Sequence, residues 1–409
     1  MGAWVPDLHC RTLSEGVAVR ILFLTGKFPP VPCGIGDYTF RLASGLACLG
    51  HEPFVITSQR EGLSPDENLD STIRTWRDIP EWNLAGCQSI LQRLREHPME
   101  IVHIQYHALS FSLHPAITML PRLVKSRLRP RPPKIAVTLH ELAGPMAALT
   151  PGPARRLWLL PLLLSSDSVI VTNERDLSRL SLIPFLRGRL HHIPLASPMS
   201  TPTIPSLSRE ERDSVRQQAG VGPEEILLVR FGFVHNVFGS LIPELLQALR
   251  VLVKRGFPAR LLLAGGDNEG DRRRILSIAS RMGMEDKLLW TGYRTADEIS
   301  HFLYSSDIAV QLYPDGVSEK RSSLHTVMAH GLPVISTRRG RPSSLFHHGE
   351  NVLLVSSRHP DQLADAISEL IADRPLKKRL SENALRTARR FDWKSIVQAT
   401  ESLYRTLTA

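Results

Sequence analysis

The chain has 409 residues, 42% hydrophobic and 22% charged. These are the proportions of a globular protein of two or three domains, and they exclude a disordered tail, a collagen-like fibre and a small disulfide-stapled scaffold. Lys and Arg number 50 against 40 Asp and Glu, a formal charge of +10, which favours anionic partners such as phosphates, nucleotides, nucleic acid or an acidic membrane face without choosing among them. Cys10, Cys33, Cys48 and Cys87 form no C-x-x-C pair, so neither a disulfide framework nor a structural zinc site is expected and a reducing cytosol is the default. The longest apolar run, Leu157–Leu164, has eight residues, where a membrane span needs about 18 or more. Met1–Ala18 carry Asp7 and Glu15 without an apolar stretch and do not read as a signal peptide.

From Val19 onward short β-branched runs alternate with amphipathic stretches, the pattern of a mostly parallel sheet covered by helices. The first strand is Val19–Thr25. A helix follows from Asp37, with Leu42, Leu46 and Leu49 on one face and Gly50 as its stop. Further strands are expected at Phe54–Thr57, Ile101–Gln105, Ile135–Leu139 and Ser168–Thr172. Pro194, Pro198, Pro202 and Pro205 among Ser and Thr mark Pro194–Ser208 as a linker. Beyond it strands are expected at Ile226–Phe231, Arg260–Ala264, Leu288–Thr291, Ile308–Leu312 and Pro333–Ser336. Helices are expected near Leu241–Arg255, Ala296–Tyr304 and Ser323–His330, with a helical tail from Asp361 ending in amphipathic Trp393–Leu407. Two α/β halves joined by a hinge imply ligand binding at the carboxyl ends of the strands.

Gly34-Ile35-Gly36-Asp37-Tyr38-Thr39 invites a dinucleotide reading and fails it. Thr39 stands at the third glycine, eight residues separate the strand from Gly34, and the second strand runs into Ser58-Gln59-Arg60 rather than an acid. A complete glycine fingerprint is what an NAD-dependent oxidoreductase would need. A phosphate cradle remains open, because Gly36 lets backbone N–H groups approach an anion.

Phe28-Pro29-Pro30 through Gly34-Ile35-Gly36-Asp37-Tyr38 and Gly50-His51-Glu52 resemble the opening of the GT-B glycosyltransferases of retaining family 4. Other pieces follow in the same order. Val137-Thr138-Leu139-His140-Glu141 is similar to the family's Thr-x-His-Asp strand end. Leu262-Leu263-Ala264-Gly265-Gly266, Thr291-Gly292-Tyr293 and Ser306-Asp307-Ile308-Ala309-Val310 resemble its glycine-ended strand, base-contacting turn and Ala-Asp-x-x-Val strand. Met328-Ala329-His330-Gly331-Leu332-Pro333-Val334 and Glu350-Asn351-x-Leu353-Leu354-Val355 resemble its Met-Ala-x-Gly-x-Pro-Val and Glu-Asn-Gly-Leu-Leu-Val segments. The chain departs from the family at two places. Ser318 and Thr326 stand where a pair of glutamates is usual, with Glu319 one position off. In Gly232-Phe233-Val234-His235-Asn236-Val237-Phe238-Gly239, phenylalanines replace the Arg and Lys that hold the diphosphate. Ser318-Glu319-Lys320-Arg321-Ser322-Ser323 supplies two cations and three hydroxyls before a helix instead, an adequate anion site.

The resemblance implies an α/β fold of GT-B type, two Rossmann-like domains with parallel sheets facing across a cleft. It implies an extension over 1–18, an acceptor-side domain over 19–198, a nucleotide-sugar domain over 199–390 and a closing helix over 391–409 that packs on the first domain. The function it implies is retaining transfer of a sugar from a UDP-, GDP- or ADP-sugar to a carbohydrate, lipid-linked or small-molecule acceptor, with no cofactor and no metal. The alternative is a non-catalytic relative that binds sugar nucleotides or acts as a scaffold. Arg321, Lys320 and the N–H groups of Ser322 and Ser323 are expected to stabilise the leaving diphosphate. Thr326 is expected at the ribose, Gly36 at the diphosphate and His140 beside the transferred sugar. Gly34, Gly232, His235, Tyr293, Ser318 and Glu319 complete the expected donor site.

The remaining signals are weaker. His103 and His107 straddle a strand end and lack a third ligand, against a metal site, and no Gly-x-Ser-x-Gly elbow supports Ser–His–Asp chemistry. Arg122, Lys125, Arg127, Arg129, Arg131 and Lys134 form a run without an acid. It reads as a solvated loop or as a contact with anionic lipid, Leu157–Leu164 dipping into the interface, and so as a cytoplasmic protein peripheral on the inner membrane face. Nucleic acid is not expected as a partner, since no binding module accompanies the charge.

Overall fold

The computed structural model describes residues 18–70, 72–142, 157–196, 202, 204–234, 241–339, 344–356 and 359–409. The chain forms two compact units, one of Met1–Pro198 with Trp393–Ala409 and one of Met199–Asp392.

The first unit holds an eight-stranded sheet: β1 (Arg20–Leu24), β2 (Glu52–Ser58), β3 (Asp66–Asp70), β4 (Ile73–Ile79), β5 (Ile101–Tyr106), β6 (Lys134–Leu139), β7 (Ser168–Val171) and β8 (Leu190–His192), in the order β3-β4-β2-β1-β5-β6-β7-β8. All neighbours are parallel except the β3–β4 pair. Central strands buried on both faces are mostly apolar, and β1 beyond Arg20 reads Ile21-Leu22-Phe23-Leu24. Leu22 and Leu24 join one core with Val102, Ile104 and Val137, while Ile21 and Phe23 join another on the opposite face. That second core contains Tyr38, Leu42 and Leu46 of the helix Gly34–Cys48 and Trp393, Ile396, Val397, Leu403 and Tyr404 of the helix Trp393–Thr408. The C-terminal helix therefore closes the first sheet although the whole second unit precedes it in sequence. β3 and β4 went unread because β4 interrupts its apolar positions with Arg74, Arg77 and Asp78. Arg77 is nevertheless buried, donating to the carbonyls of Phe28 and Pro29. Cys48 is disulfide-bonded, which the sequence reading did not foresee, while Cys33 and Cys87 are free.

The second unit holds a six-stranded parallel sheet: β9 (Ile226–Phe231), β10 (Ala259–Ala264), β11 (Leu288–Gly292), β12 (Ile308–Gln311), β13 (Val334–Thr337) and β14 (Leu353–Val355), in the order β11-β10-β9-β12-β13-β14. Ser208 starts the unit's first helix, Arg209–Gln218, in a reciprocal cap with Glu211. Asp307, just before β12, binds Arg212 and Arg216 of that helix at 2.5 and 3.0 Å and accepts from the Leu227 N–H at 2.9 Å. These contacts hold its carboxyl below the usual range against the opposing effect of burial. No described helix is long and apolar enough to cross a membrane.

Candidate functional site

In the second sheet the chain runs outward from β9 through β10 to β11, then returns to β12 on the other side of β9. The point between β9 and β12 is where strand order reverses, and the carboxyl ends of strands open a crevice there. β9 ends in Arg230-Phe231-Gly232. Gly232 has φ +123°, a conformation that side chains other than hydrogen rarely adopt, and a Cβ there would meet Ser323 Cβ at 3.3 Å. The Arg230 guanidinium folds back beside this turn, its Nη1 donating to the carbonyls of Gly232 at 2.6 Å and Phe233 at 3.2 Å. Burial lowers its pKa, opposed by Tyr313, but a guanidinium stays charged.

On the other side of the crevice the chain leaves β12 through Tyr313 and reaches the helix Ser322–Ala329, with Arg321 as its N-cap residue. Tyr313 Oη lies 2.9 Å from Ser323 Oγ. The Arg321 guanidinium stands 4.6 Å over the Tyr313 ring and pairs with Asp315. Arg339 donates to the Pro314 carbonyl at 2.5 Å. Thus Arg230, Arg321, Tyr313, Ser323 and a helix N-terminus gather at one crevice, a constellation suited to an anion with several oxygens. Arg230, Tyr313 and Arg339 were not read from the sequence. The signal for Arg230 was a cation closing an apolar strand at the point of order reversal.

Of the expected donor residues, Gly232, Arg321, Ser322 and Ser323 meet here. Lys320 and Ser318 are half-buried in the approaching loop. Thr326 and Glu319 are not brought to the crevice surface. Thr326 is fully buried, its Oγ1 donating to the Ser322 carbonyl one turn back at 3.1 Å, and Glu319 is 1% exposed. His235 lies outside the described residues. Tyr293 is 83% exposed after β11, and Phe233 is 51% exposed. A Cβ on Gly266 would meet the Phe233 ring at 2.8 Å and the Tyr293 ring at 3.5 Å, so both aromatics flank one glycine at the ends of β9, β10 and β11.

In the first unit His140 is half-buried at the end of β6, its N–H donating to the Tyr106 carbonyl at 3.0 Å. Its Nε2 lies 2.9 Å from Gln105 Oε1, and its ring meets Tyr38 edge-on at 5.5 Å. Tyr38 in turn lies 5.2 Å from the Trp393 ring. Gly34 is exposed and Gly36 buried, both within the first turn of a helix that starts three residues before the expected Asp37. A Cβ on Gly36 would meet the Lys27 carbonyl oxygen at 2.7 Å, which gives this glycine a packing reason independent of any phosphate. Burial raises Asp37 to about 6, with Arg41 opposing. His107 pairs with Glu141, 3.6 Å away, whereas His103 is buried in the sheet. Among the described residues no group of three or more His, Cys, Asp or Glu side chains could hold a metal ion.

Comparisons with known proteins agree with this layout. Residues 32–196 match the family described as Glycosyltransferase Family 4, and residues 232–373 match Glycosyl transferases group 1. The chain is 26% identical over 168 residues to the D-inositol 3-phosphate glycosyltransferase of Corynebacterium urealyticum, which is 40% of this chain and 39% of the relative. It spans about half or less of the length of the first curated relatives it matches. Among solved structures, sucrose-phosphate synthase of Thermosynechococcus elongatus superposes with TM-score 0.74 at 19% identity, covering 95% of this chain and 99% of that one. The Anabaena protein HepE in complex with UDP and glucose superposes with TM-score 0.71 at 15% identity, covering 95% and 100%. At such identities the likeness is one of fold.

Proposed function

The chain belongs to the GT-B glycosyltransferases, and from that premise we propose that it transfers a sugar from a nucleoside-diphosphate donor with retention of anomeric configuration. The observation that carries this reading is the crevice between β9 and β12, where Arg230, Ser323 and the N-terminus of Ser322–Ala329 converge. Charge grows on the diphosphate as the sugar–oxygen bond breaks, and fixed cations and helix N–H groups already in place lower the barrier without reorganising. Phe233 and Tyr293 offer faces on which a base can stack. His140 is assigned to the transferred sugar by its place in the family-like Thr-x-His segment. HepE was crystallised with UDP and with UDP-glucose, which supports the same donor class here.

The acceptor is proposed to be a carbohydrate, a lipid-linked sugar or a small molecule bound by the first unit. A peripheral contact with anionic lipid is proposed for the exposed cations Arg122, Arg127, Arg129, Arg131 and Lys134. A panel of UDP-, GDP- and ADP-glucose against NAD, read by calorimetric binding and thermal shift, tests the donor assignment, since a ligand that binds only the native state raises its melting temperature. Binding by at least one sugar nucleotide and not by NAD is the expected outcome. Binding by NAD alone would sink the reading. Tight binding without transfer or hydrolysis of any donor would favour a non-catalytic protein, the reading to which Thr326 and Ser318, in place of glutamates, lend weight.

A further inference from the structure

A chain of buried side chains runs from the C-terminal helix to His140. His103 on β5 is fully buried, and burial pushes its pKa down to about 3, so its ring is neutral and holds one proton. Its Nδ1 faces Tyr404 Oη. Its Nε2 lies 2.7 Å from Thr138 Oγ1 and 3.4 Å from Gln105 Nε2. The other end of the same amide, Gln105 Oε1, lies 2.9 Å from His140 Nε2. Gln105, Thr138 and Tyr404 are each at most 1% exposed, so protein groups must satisfy one another along this line.

Donors and acceptors along such a chain have to alternate. With the Gln105 amide turned so that its nitrogen faces His103 and its oxygen His140, the nitrogen only donates, so in this arrangement His103 Nε2 accepts and the ring proton sits on Nδ1, donated to Tyr404 Oη. An amide oxygen only accepts, so His140 carries its proton on Nε2. The Thr138 hydroxyl can also donate to His103 Nε2, which is consistent with the same state.

We propose that Tyr404 and Gln105 are positioning residues that set the tautomer of His140, the phenol oxygen of the C-terminal helix acting through His103 and the Gln105 amide to hold His140 as the Nε2–H imidazole. Its meaning for catalysis rests on the reading of His140 as the sugar-side residue. In that reading the tautomer fixes which ring nitrogen of His140 donates and which accepts when a sugar hydroxyl reaches the ring.

The chain makes a directional prediction. Tyr404→Phe removes the acceptor of the His103 Nδ1–H and little else. A buried N–H without an acceptor is less tolerated than a lone pair without a donor, so the proton moves to Nε2, where Thr138 Oγ1 accepts it. His103 Nε2–H then faces the Gln105 NH2, donor against donor. Rotation of the amide relieves the clash and turns its NH2 toward His140 Nε2, which forces the His140 proton to Nδ1.

The test is a two-bond 1H–15N correlation spectrum of the full chain labelled with 15N-histidine, in which the His140 signals are those lost in His140→Gln. The wild type should show the Nε2–H pattern and Tyr404→Phe the Nδ1–H pattern. Gln105→Met should lose the fixed Nε2–H pattern, and Tyr404→Phe/Gln105→Met should match Gln105→Met alone, because the coupling passes through the amide. Should Tyr404→Phe fail to fold, Gln105→Met decides, a retained fixed Nε2–H pattern counting against the proposal. An Nδ1–H wild type, a Tyr404→Phe spectrum unchanged at His140, or a Tyr404→Phe effect that persists beside Gln105→Met would overturn it. The readout needs no substrate. Full turnover by His140→Ala would therefore remove the sugar role and leave the tautomer assignment standing.

Discussion

Arg230 and Arg321 approach the same crevice with different encumbrances. Arg321 already holds a carboxylate, Asp315, which neutralises part of its charge and must be displaced or shared when a diphosphate arrives. Among the described residues Arg230 is held through the carbonyl oxygens of Gly232 and Phe233, at 2.6 and 3.2 Å, so it keeps its full charge for the ligand. Removing a charge-assisted hydrogen bond costs about 1.5–3 kcal/mol, roughly ten- to a hundredfold in affinity. Arg230→Ala should lose that much affinity for the sugar nucleotide the panel identifies, Arg230→Lys should recover part of it, and Arg321→Ala should lose less. Calorimetric titration of the three variants checks the order, and undiminished binding by Arg230→Ala would remove the diphosphate from this crevice. Residue by residue, the sequence made the hydroxyls and cations near Ser323 legible because they interrupt a helix start. It hid Arg230 inside Ile226–Phe231, where a cation reads as one more strand residue. Thr326 and Glu319 were legible only by their spacing from the Met328 segment, and spacing does not tell whether a side chain ends up buried.

Among the elements, strands buried on both faces were the easiest to read, because they are dominated by apolar residues and admit a polar one such as His103 or Gln105 only where a buried partner meets it. β3 and β4 escaped for the opposite reason: β3, at the sheet edge, is polar in sequence, and β4 beside it breaks its apolar run with Arg74, Arg77 and Asp78, of which Arg77 is buried against backbone carbonyls. The basic run from Arg122 to Lys134 was read as a loop, and its first half proves to be the end of a helix, Ala116–Arg127, that carries Pro121. The short helix Leu160–Ser165 packs against it, burying Leu162 and Leu163 and leaving Leu157 61%, Trp158 39% and Leu164 55% exposed. Lys125 is paired with Asp167 at 2.6 Å, so the proposed lipid-facing charge rests on the others. A Trp and two Leu beside exposed arginines is the composition of an interfacial anchor, and each basic residue near an anionic bilayer contributes about 1 kcal/mol. The full chain should therefore sediment with vesicles containing phosphatidylserine and not with pure phosphatidylcholine. Arg129→Gln/Arg131→Gln should weaken that binding on the order of thirtyfold, the equivalent of about 2 kcal/mol. Equal sedimentation with both lipids, or none with either, would leave the run as a solvated surface.

For the whole molecule, stability should depend on pH through histidines that each unit buries in the neutral form. In the second unit His330 donates from Nδ1 to the Thr326 carbonyl at 2.8 Å and faces Ser300 Oγ through Nε2 at 2.9 Å. Burial lowers its pKa to about 4, with the Thr326 bond opposing. In the first unit His103 is pushed down to about 3. An unfolded histidine titrates near 6.5, so below that value the unfolded chain binds protons the folded units refuse. Stability is then complete above about pH 6.5 and declines as pH falls toward 4 for the second unit and further for the first. At about 1.4 kcal/mol per pH unit, His330 alone accounts for up to about 3 kcal/mol over this window. Asp37 acts in the other direction. Its pKa rises from 3.8 to about 6, so the folded first unit gains a proton there and recovers some stability between pH 6 and 4. The clean measurement is therefore on the second unit. His330→Asn should melt lower than wild type at pH 7.5, because it loses a buried hydrogen-bonded ring. The gap between the two should close as pH falls from 6.5 to 4.5, since only the wild type then carries the cost of an unprotonated buried histidine. A gap in melting temperature that stays constant across that range, in buffers of matched ionic strength, would show that His330 titrates normally and that acid sensitivity originates elsewhere.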